Sequence, residues 1–162
     1  VLIKIDADAN ILDSEIIDTL IARFCEGSWD YLSNTLEPTF PDGLDIEVFS
    51  YNTLETAWRE ARLPSEREHV TPYMKVGGRF QISNFRNSQD LSQYRWTVDE
   101  PVDFELITQI YSALFQRNRY FTMQDVLKFL SSRPDLLELN KHISRDEGYC
   151  RSLSLDIDQQ NE

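Results

Sequence analysis

Two short acidic strings are the places where this sequence could do chemistry. Asp6-Ala7-Asp8 follows an apolar, β-branched run from Val1 to Ile5. Side chains alternate along a strand, so Asp6 and Asp8 share one side of a strand end. Asp99-Glu100-Pro101 closes a second extended run, Tyr94 to Val98. In open α/β sheets ligands gather beyond the carboxyl ends of strands. Asp8 and Asp99 could therefore share a hard divalent cation, since Mg²⁺ accepts one or two carboxylates and keeps places for phosphate oxygens and water. Read singly, each acid is more simply a solvated turn residue or a helix cap.

A third group begins at Pro41-Asp42-Gly43, a turn signal. Beyond it Asp45 and Glu47 face one side of an alternating run, close in sequence to a loop carrying Asn34, Thr35 and Thr39. Polar groups so arranged suit the hydroxyls of a sugar. Arg67-Glu68-His69 is the fourth, because an imidazole titrates near neutrality and could act as a general base, although a lone histidine is more often a packing residue. His142 lies among polar residues with no evident partner, and neither Cys25 nor Cys150 has the surroundings of a nucleophile. Trp29, Trp58 and Trp96 read as core. Gly77-Gly78 lacks the following helix that a phosphate loop needs.

The elements that must hold these residues follow from periodicity. Val1 to Ile5 reads as a largely buried strand, and Asp13 or Ser14 caps a helix to about Cys25 whose Ile16, Ile17, Leu20, Ile21 and Phe24 share a face, stopped by Gly27. A short strand over 29–33 would complete a βαβ unit. Leu44 to Phe49 alternates as a half-exposed strand, and Tyr51 to Ala61 is a helix with Leu54, Ala57, Trp58 and Ala61 inward. A further helix runs from Ser65 towards Tyr73, bent or ended by Pro72. Phe80 to Phe85 and Tyr94 to Val98 read as strands. Val102 to Phe115 is an amphipathic helix carrying Phe104, Ile107, Ile110, Tyr111 and Leu114. Thr122 caps another to Leu130, and Pro134 opens a last turn or two. The class is α/β with a sheet of mixed direction. The expected division is 1–118 for an α/β domain, 119–155 for a helical C-terminal extension and 156–162 for a polar, frayed tail.

Composition narrows the classes of function. The 162 residues hold 16 Lys+Arg against 28 Asp+Glu, a net charge of −12 that leaves no basic stripe for nucleic acid. With 41% hydrophobic and 12% aromatic residues the chain can build a core rather than stay disordered. No apolar run approaches the ~18 residues of a membrane span. Two distant cysteines fit a reduced, cytoplasmic setting.

Several stretches together resemble a known family, the cytidylyltransferases of the spore-coat polysaccharide biosynthesis type, which are relatives of the enzymes that make CMP-activated Kdo and sialic acid. Lys4-Ile5-Asp6-Ala7-Asp8-Ala9-Asn10-Ile11-Leu12-Asp13-Ser14-Glu15-Ile16-Ile17 is similar to the family's R-I-T-x-D-x-P-L-I-D-P-E-I-I. Ser33-Asn34-Thr35, followed by Phe40 to Phe49, resembles S-N-T … Y-P-D-G-L-D-V-E-V-F. Arg67 to Tyr73 matches R-E-H-V-T-P-Y, Arg95 to Phe104 matches R-W-T-V-D-E-P-x-D-F, and Arg145 to Tyr149 resembles R-N-E-G-Y. The likeness runs in order through nearly the whole chain.

The resemblance implies a nucleotide-diphosphosugar transferase-like α/β/α sandwich, present in part, and transfer of CMP from CTP to a sugar with release of pyrophosphate. It implies that Asp8 and Asp99 are the catalytic acids and hold Mg²⁺, and that Asn34, Asp42, Asp45, Glu47, Arg67 and His69 serve substrate binding. It also implies a homodimer, for which the Phe80–Phe85 strand offers an edge. Asp6 stands where the family has Thr, and Asn10 where it has Pro. Nothing matches the family's opening A-R-x-x-S-x-R-L-P-x-K nucleotide loop. The chain is accordingly expected to lack the first third of such an enzyme, to be inactive alone, and to show an unpaired apolar edge near Val1-Leu2-Ile3. Two other readings stand beside this one. Asp6-Ala7-Asp8 spells the Asp-x-Asp of a metal-dependent glycosyltransferase of the type A fold, and a non-catalytic domain that binds a sugar or a partner needs no nucleotide loop.

Overall fold

Asp13 fixes two helices at once. In the computed structural model, which describes residues 1–145, 149, 152–154 and 156–157, its buried carboxylate accepts the Glu15 N–H at 3.0 Å and caps α1 (Ser14–Glu26). Its other oxygen accepts the Met123 N–H at 2.8 Å, which ties down the start of α6 (Met123–Ser131). Ile16, Leu20 and Phe24 form the buried stripe of α1. Gly27 ends it, where a Cβ would lie 2.1 Å from Trp29 Nε1.

Four short strands follow: β1 (Leu2–Lys4), β2 (Tyr31–Ser33), β3 (Glu47–Phe49) and β4 (Ile82–Asn84). They lie in the order β1-β3-β2-β4, with β3 antiparallel to both neighbours and β2 parallel to β4. The sheet is mixed as expected, but β1, α1 and β2 do not form a simple βαβ unit, because β3 inserts between the two parallel strands. Ile3 and Leu32 both pair with Val48. That central place also corrects the reading of Leu44 to Phe49 as half-exposed, since every residue of β3 is buried, Glu47 included. Conversely, among the described residues β1 pairs only with β3, and Val1 and Ile3 are exposed rather than buried.

The two faces of the sheet carry separate apolar clusters, as strand alternation requires. Leu32 and Val48 point to the larger one, shared with α1, α5 (Pro101–Leu114), α6 and α7 (Pro134–Leu137). Tyr31 and Phe49 point to the smaller one, covered by Ala57 of α2 (Tyr51–Glu60) and Met74 of α4 (Pro72–Lys75). Helices on both faces make an α/β/α sandwich. Val126, Leu130 and Leu136 of the C-terminal helices enter the same core as the sheet. Among the described residues no helix is long and apolar enough to cross a membrane.

Between α3 (Pro64–His69) and α4 the chain turns through Val70 at φ 69°, ψ −50°, and the Thr71 N–H donates to the His69 carbonyl at 2.7 Å. This is the rare γ-turn of positive φ, strained for a β-branched residue. Tyr94 to Val98 is not a strand. It makes one bridge to Asp42 through Arg95 and one to Ala9 through Thr97.

Three further expectations need correction. Trp96 is core, but Trp58 is 65% exposed and Trp29 half-exposed at the helix end. Phe104 faces solvent from α5, whose buried face is Leu106, Ile107 and Ile110. Asp156 is no frayed tail residue, because it is buried and accepts the Ser65 N–H at 2.9 Å and the Ser65 hydroxyl at 2.6 Å. Residues 146–148 of the Arg145–Tyr149 motif, Cys150 and the tail 158–162 lie outside the described residues.

Candidate active site

The loop after β1 and the segment before α5 are stitched together by backbone. The Val98 N–H donates to the Asp8 carbonyl at 3.1 Å, and Ala9 bridges Thr97. A second seam joins the 41–44 turn to the same segment: the Trp96 N–H donates to the Asp42 carbonyl at 2.7 Å and the Asp42 N–H to that of Tyr94 at 2.9 Å. Gly43 makes this approach possible. It sits at φ +97°, and a Cβ there would fall 2.7 Å from Thr97 N. The two seams bring Asp8, Asp42, Asp45, Arg95 and Asp99 to the wall of one open cavity of about 640 Å³, which His69 also lines.

Arg95 organises those acids. Its guanidinium donates to Asp103 from Nε at 3.1 Å and from one terminal nitrogen at 2.9 Å, to Asp42 at 3.1 Å and to Asp99 at 2.6 Å. Asp103 is fully buried and also receives the Asn140 amide at 2.7 Å. Burial alone would weaken the charge on Arg95, but hydrogen bonds to Asp103 and Asp99 overcome it and push its pKa up. Burial likewise works against the Asp103 carboxylate, and the bonds from Arg95, Asn140 and two backbone N–H groups bring its pKa down.

A second chamber, about 280 Å³, opens behind His69, Asp45 and Asp6. Its floor is Glu47, which receives the Tyr31 hydroxyl, the Thr71 hydroxyl at 2.7 Å, and the ammonium groups of Lys4 and Lys75, each at 3.0 Å. Burial would raise the Glu47 pKa, yet Lys75, Lys4 and the two hydroxyl donors hold it at about 2. Asp45 pairs with Arg145. The His69 Nε2 lies 2.9 Å from the Ser152 hydroxyl, and the ring meets Tyr149 edge-on.

The sequence-expected residues divide accordingly. Asp8, Asp42, Asp45, His69 and Asp99 line the first cavity, and Glu47 lines the second with Asp45 and His69. Asn34 lines neither. It is fully buried, donating to the Leu44 carbonyl at 2.7 Å and accepting the Ile46 N–H at 2.8 Å, so its amide holds the chain between β2 and β3 instead of a ligand. Thr39 is similarly occupied by the Asn87 N–H at 2.8 Å. Arg67 points away from both chambers and donates to the Trp58 carbonyl at 2.8 Å. Lys4, Lys75, Arg95 and Arg145 carry no role in the sequence reading. The spacing of Arg95, Asp99 and Asp103, a cation four and eight residues before carboxylates around a helix start, is the signal that could have found one of them.

Among the described residues no three His, Cys, Asp or Glu side chains are placed to hold a metal ion together. An ion here would rest on Asp8 and Asp99 with oxygens from a phosphate and water. Mg²⁺ accepts that donor set. Asp99 keeps one oxygen on Arg95, and Asp6 places both of its oxygens on Lys4, at 2.7 and 2.9 Å. That engagement weighs against an Asp-x-Asp metal pair and so against the glycosyltransferase spelling.

No family model matches the chain. A cytidylyltransferase from Leptospira borgpetersenii superposes on it with a TM-score of 0.79 and 29% identity, over 84% of this chain and 58% of that one. The α/β/α layers thus have the fold of a cytidylyltransferase. In sequence the chain is similar to the spore coat polysaccharide biosynthesis protein SpsF of Bacillus subtilis, 28% identical over 83% of this chain and 56% of that protein. An uncharacterized protein of Methanocaldococcus jannaschii is 27% identical over 92% of the chain and 60% of its own length. The likeness in fold is to a cytidylyltransferase and in sequence to a spore coat polysaccharide biosynthesis protein, and the chain spans less than two thirds of each of these relatives.

Proposed function

We propose that the chain supplies the metal and sugar side of a cytidylyltransferase that moves CMP from CTP to a sugar, releasing pyrophosphate, for cell-surface polysaccharide. What supports the reading is that Asp8 and Asp99 both line one cavity in a fold like that of a cytidylyltransferase. Asp8 and Asp99 would hold Mg²⁺, which when bound offsets charge on the attacked phosphate and on the departing pyrophosphate. A sugar hydroxyl attacks the α-phosphorus, the bond to pyrophosphate breaks, and the hydroxyl proton leaves towards His69, which stands between the two chambers. Arg95 acts as a positioning residue, aiming Asp42 and Asp99 from behind. A homodimer and a cytoplasmic setting belong to the same proposal.

Calorimetry on the 162-residue chain with CTP, with and without Mg²⁺, tests it. Binding that needs Mg²⁺ is expected, and Asp99→Asn should abolish the dependence on the ion. A chain indifferent to CTP under both conditions would favour a non-catalytic module that binds a sugar or a partner. Pyrophosphate release then separates this chemistry from glycosyl transfer.

A further inference from the structure

Ser152 and Asp156 hold α3 at both ends. Asp156 accepts the Ser65 N–H and hydroxyl at the helix start, and at the last helical residue the His69 Nε2 lies 2.9 Å from the Ser152 hydroxyl. Ser152 is buried, and its oxygen also lies 2.5 Å from a carboxylate oxygen of Glu68. A serine hydroxyl has one proton to give, and a carboxylate can only accept. Were that proton given to His69, the Ser152 and Glu68 oxygens would meet with lone pairs opposed. With the proton given to Glu68, both contacts are satisfied, because the Nε2–H then donates to the Ser152 oxygen. The chain of donation runs from His69 to Ser152 to Glu68. It is the reverse of that in a nucleophilic serine, whose histidine must accept the hydroxyl proton. His69 is left with a bare Nδ1, and among the described residues nothing hydrogen-bonds to that nitrogen. The His69 side chain is 32% exposed and lines both chambers, while the edge of Tyr149 hinders the ring from flipping.

Building on the sugar-transfer reading, we infer that Ser152 and Glu68 are positioning residues that fix His69 in the Nε2–H tautomer, so that its Nδ1 takes the proton of the attacking hydroxyl. As the O–H bond breaks, its electron pair stays on the oxygen that bonds to the α-phosphorus, and the proton passes to Nδ1. Pyrophosphate leaves with the electron pair of the bond it loses. The imidazolium so formed keeps its Nε2–H on Ser152, with the Glu68 carboxylate 3.8 Å from Nε2. A third group orienting the base in this way is a general device of proton-abstracting sites. Neither Ser152 nor Glu68 lines either chamber, so both act through His69.

The tautomer can be read directly by long-range proton–nitrogen correlation NMR on the full, isotopically labelled chain, which separates a protonated ring nitrogen from a bare one. The spectrum is taken at about pH 8.5, where an ordinary imidazole of pKa about 6.5 is neutral. His142→Gln assigns the signals, since the chain has 2 histidines. His69 should show a protonated Nε2 and a bare Nδ1. Glu68→Ala frees the Ser152 proton to turn towards His69, and Ser152→Ala removes the acceptor. In each variant the share of the Nδ1–H form should rise about tenfold, equivalent to about 1.4 kcal/mol, the worth of one hydrogen bond. Glu68 is 61% exposed, so Glu68→Ala spares the fold even where Ser152→Ala disturbs it. A protonated Nδ1 in the unaltered chain would overturn the inference, and so would a tautomer ratio that either folded variant leaves unchanged. The spectra contain neither CTP nor sugar. A lock that holds while CTP binding fails therefore sinks the transfer reading, and loss of the lock with Mg²⁺-dependent CTP binding intact sinks only the roles of Ser152 and Glu68.

Discussion

Arg95 is the residue on which the site's geometry turns, since it links the 41–44 turn, the acid at Asp99 and the buried start of α5. Removing one member of a buried ion pair strands its partner, at a cost of about 3–5 kcal/mol. Asp103 is fully buried, so Arg95→Met should lower the free energy of unfolding by that order in urea titrations, and Asp103→Asn by less because Asn140 can still bond it. A loss under about 1 kcal/mol for Arg95→Met would show the cluster to be dispensable for the fold. Glu47 makes a pH prediction. Its pKa is depressed from 4.5 to about 2, so its contribution is complete above 4.5 and is lost as pH falls through 2. The depression is worth about 3 kcal/mol at most. Acid titration of stability should thus show a decline in this range that Glu47→Gln reduces, the remainder belonging to carboxylates such as Asp103 whose pKa is also depressed. Of the site, the carboxylates and His69 were legible because polar residues beside turn signals and strand runs advertise themselves. The lysines were not, because Lys4 and Lys75 acquire meaning only when Glu47 is buried between them, and burial of an acid in an alternating strand contradicts the local pattern.

At the scale of elements, the active cavity depends on two unusual backbone positions. Gly43 lets the 41–44 turn lie against Trp96 and Thr97. Gly43→Ala would add the cost of a positive φ, about 1–2 kcal/mol, and a collision with backbone that cannot swing aside. Both a lower unfolding midpoint and weaker Mg²⁺-dependent CTP binding are expected, because Asp42 and the 95–98 segment must part. A change in stability with binding untouched would mean the seam does not shape the site. Val70 is the second position. Its γ-turn sets His69 towards the cavity while Thr71 reaches Glu47. Val70→Gly should relieve strain and raise the midpoint, whereas Val70→Pro, with φ fixed near −65°, cannot make the turn and should melt early. Helix starts were legible in the sequence where Asp13 and Thr122 cap as their type dictates. The Tyr94–Val98 run was not, because its alternation reflects two single bridges to different loops rather than a ladder. Local pattern records which side chains are buried, not which backbone buries them.

For the whole molecule, two features oppose each other. The sheet ends on one side at β1, with Val1 65% and Ile3 42% exposed beside an edge that no described residue pairs. Unpaired backbone with apolar side chains is a template for another strand. The net charge of −12 works against it, since two copies repel over the Debye length, about 10 Å at 0.1 M salt and about 3 Å at 1 M. Repulsion of this kind is screened by salt, whereas burial of Val1 and Ile3 is not. Self-association should therefore be weak in dilute buffer and grow as sodium chloride is raised, in sedimentation velocity at fixed protein concentration. Ile3→Lys should suppress the growth, because a charge on an edge strand must be desolvated before the strands can pair. The change should leave stability nearly untouched at so exposed a position. If the variant associates as readily as the parent, the surface responsible lies elsewhere, and the exposed Trp58 and Phe104 become the residues to substitute next.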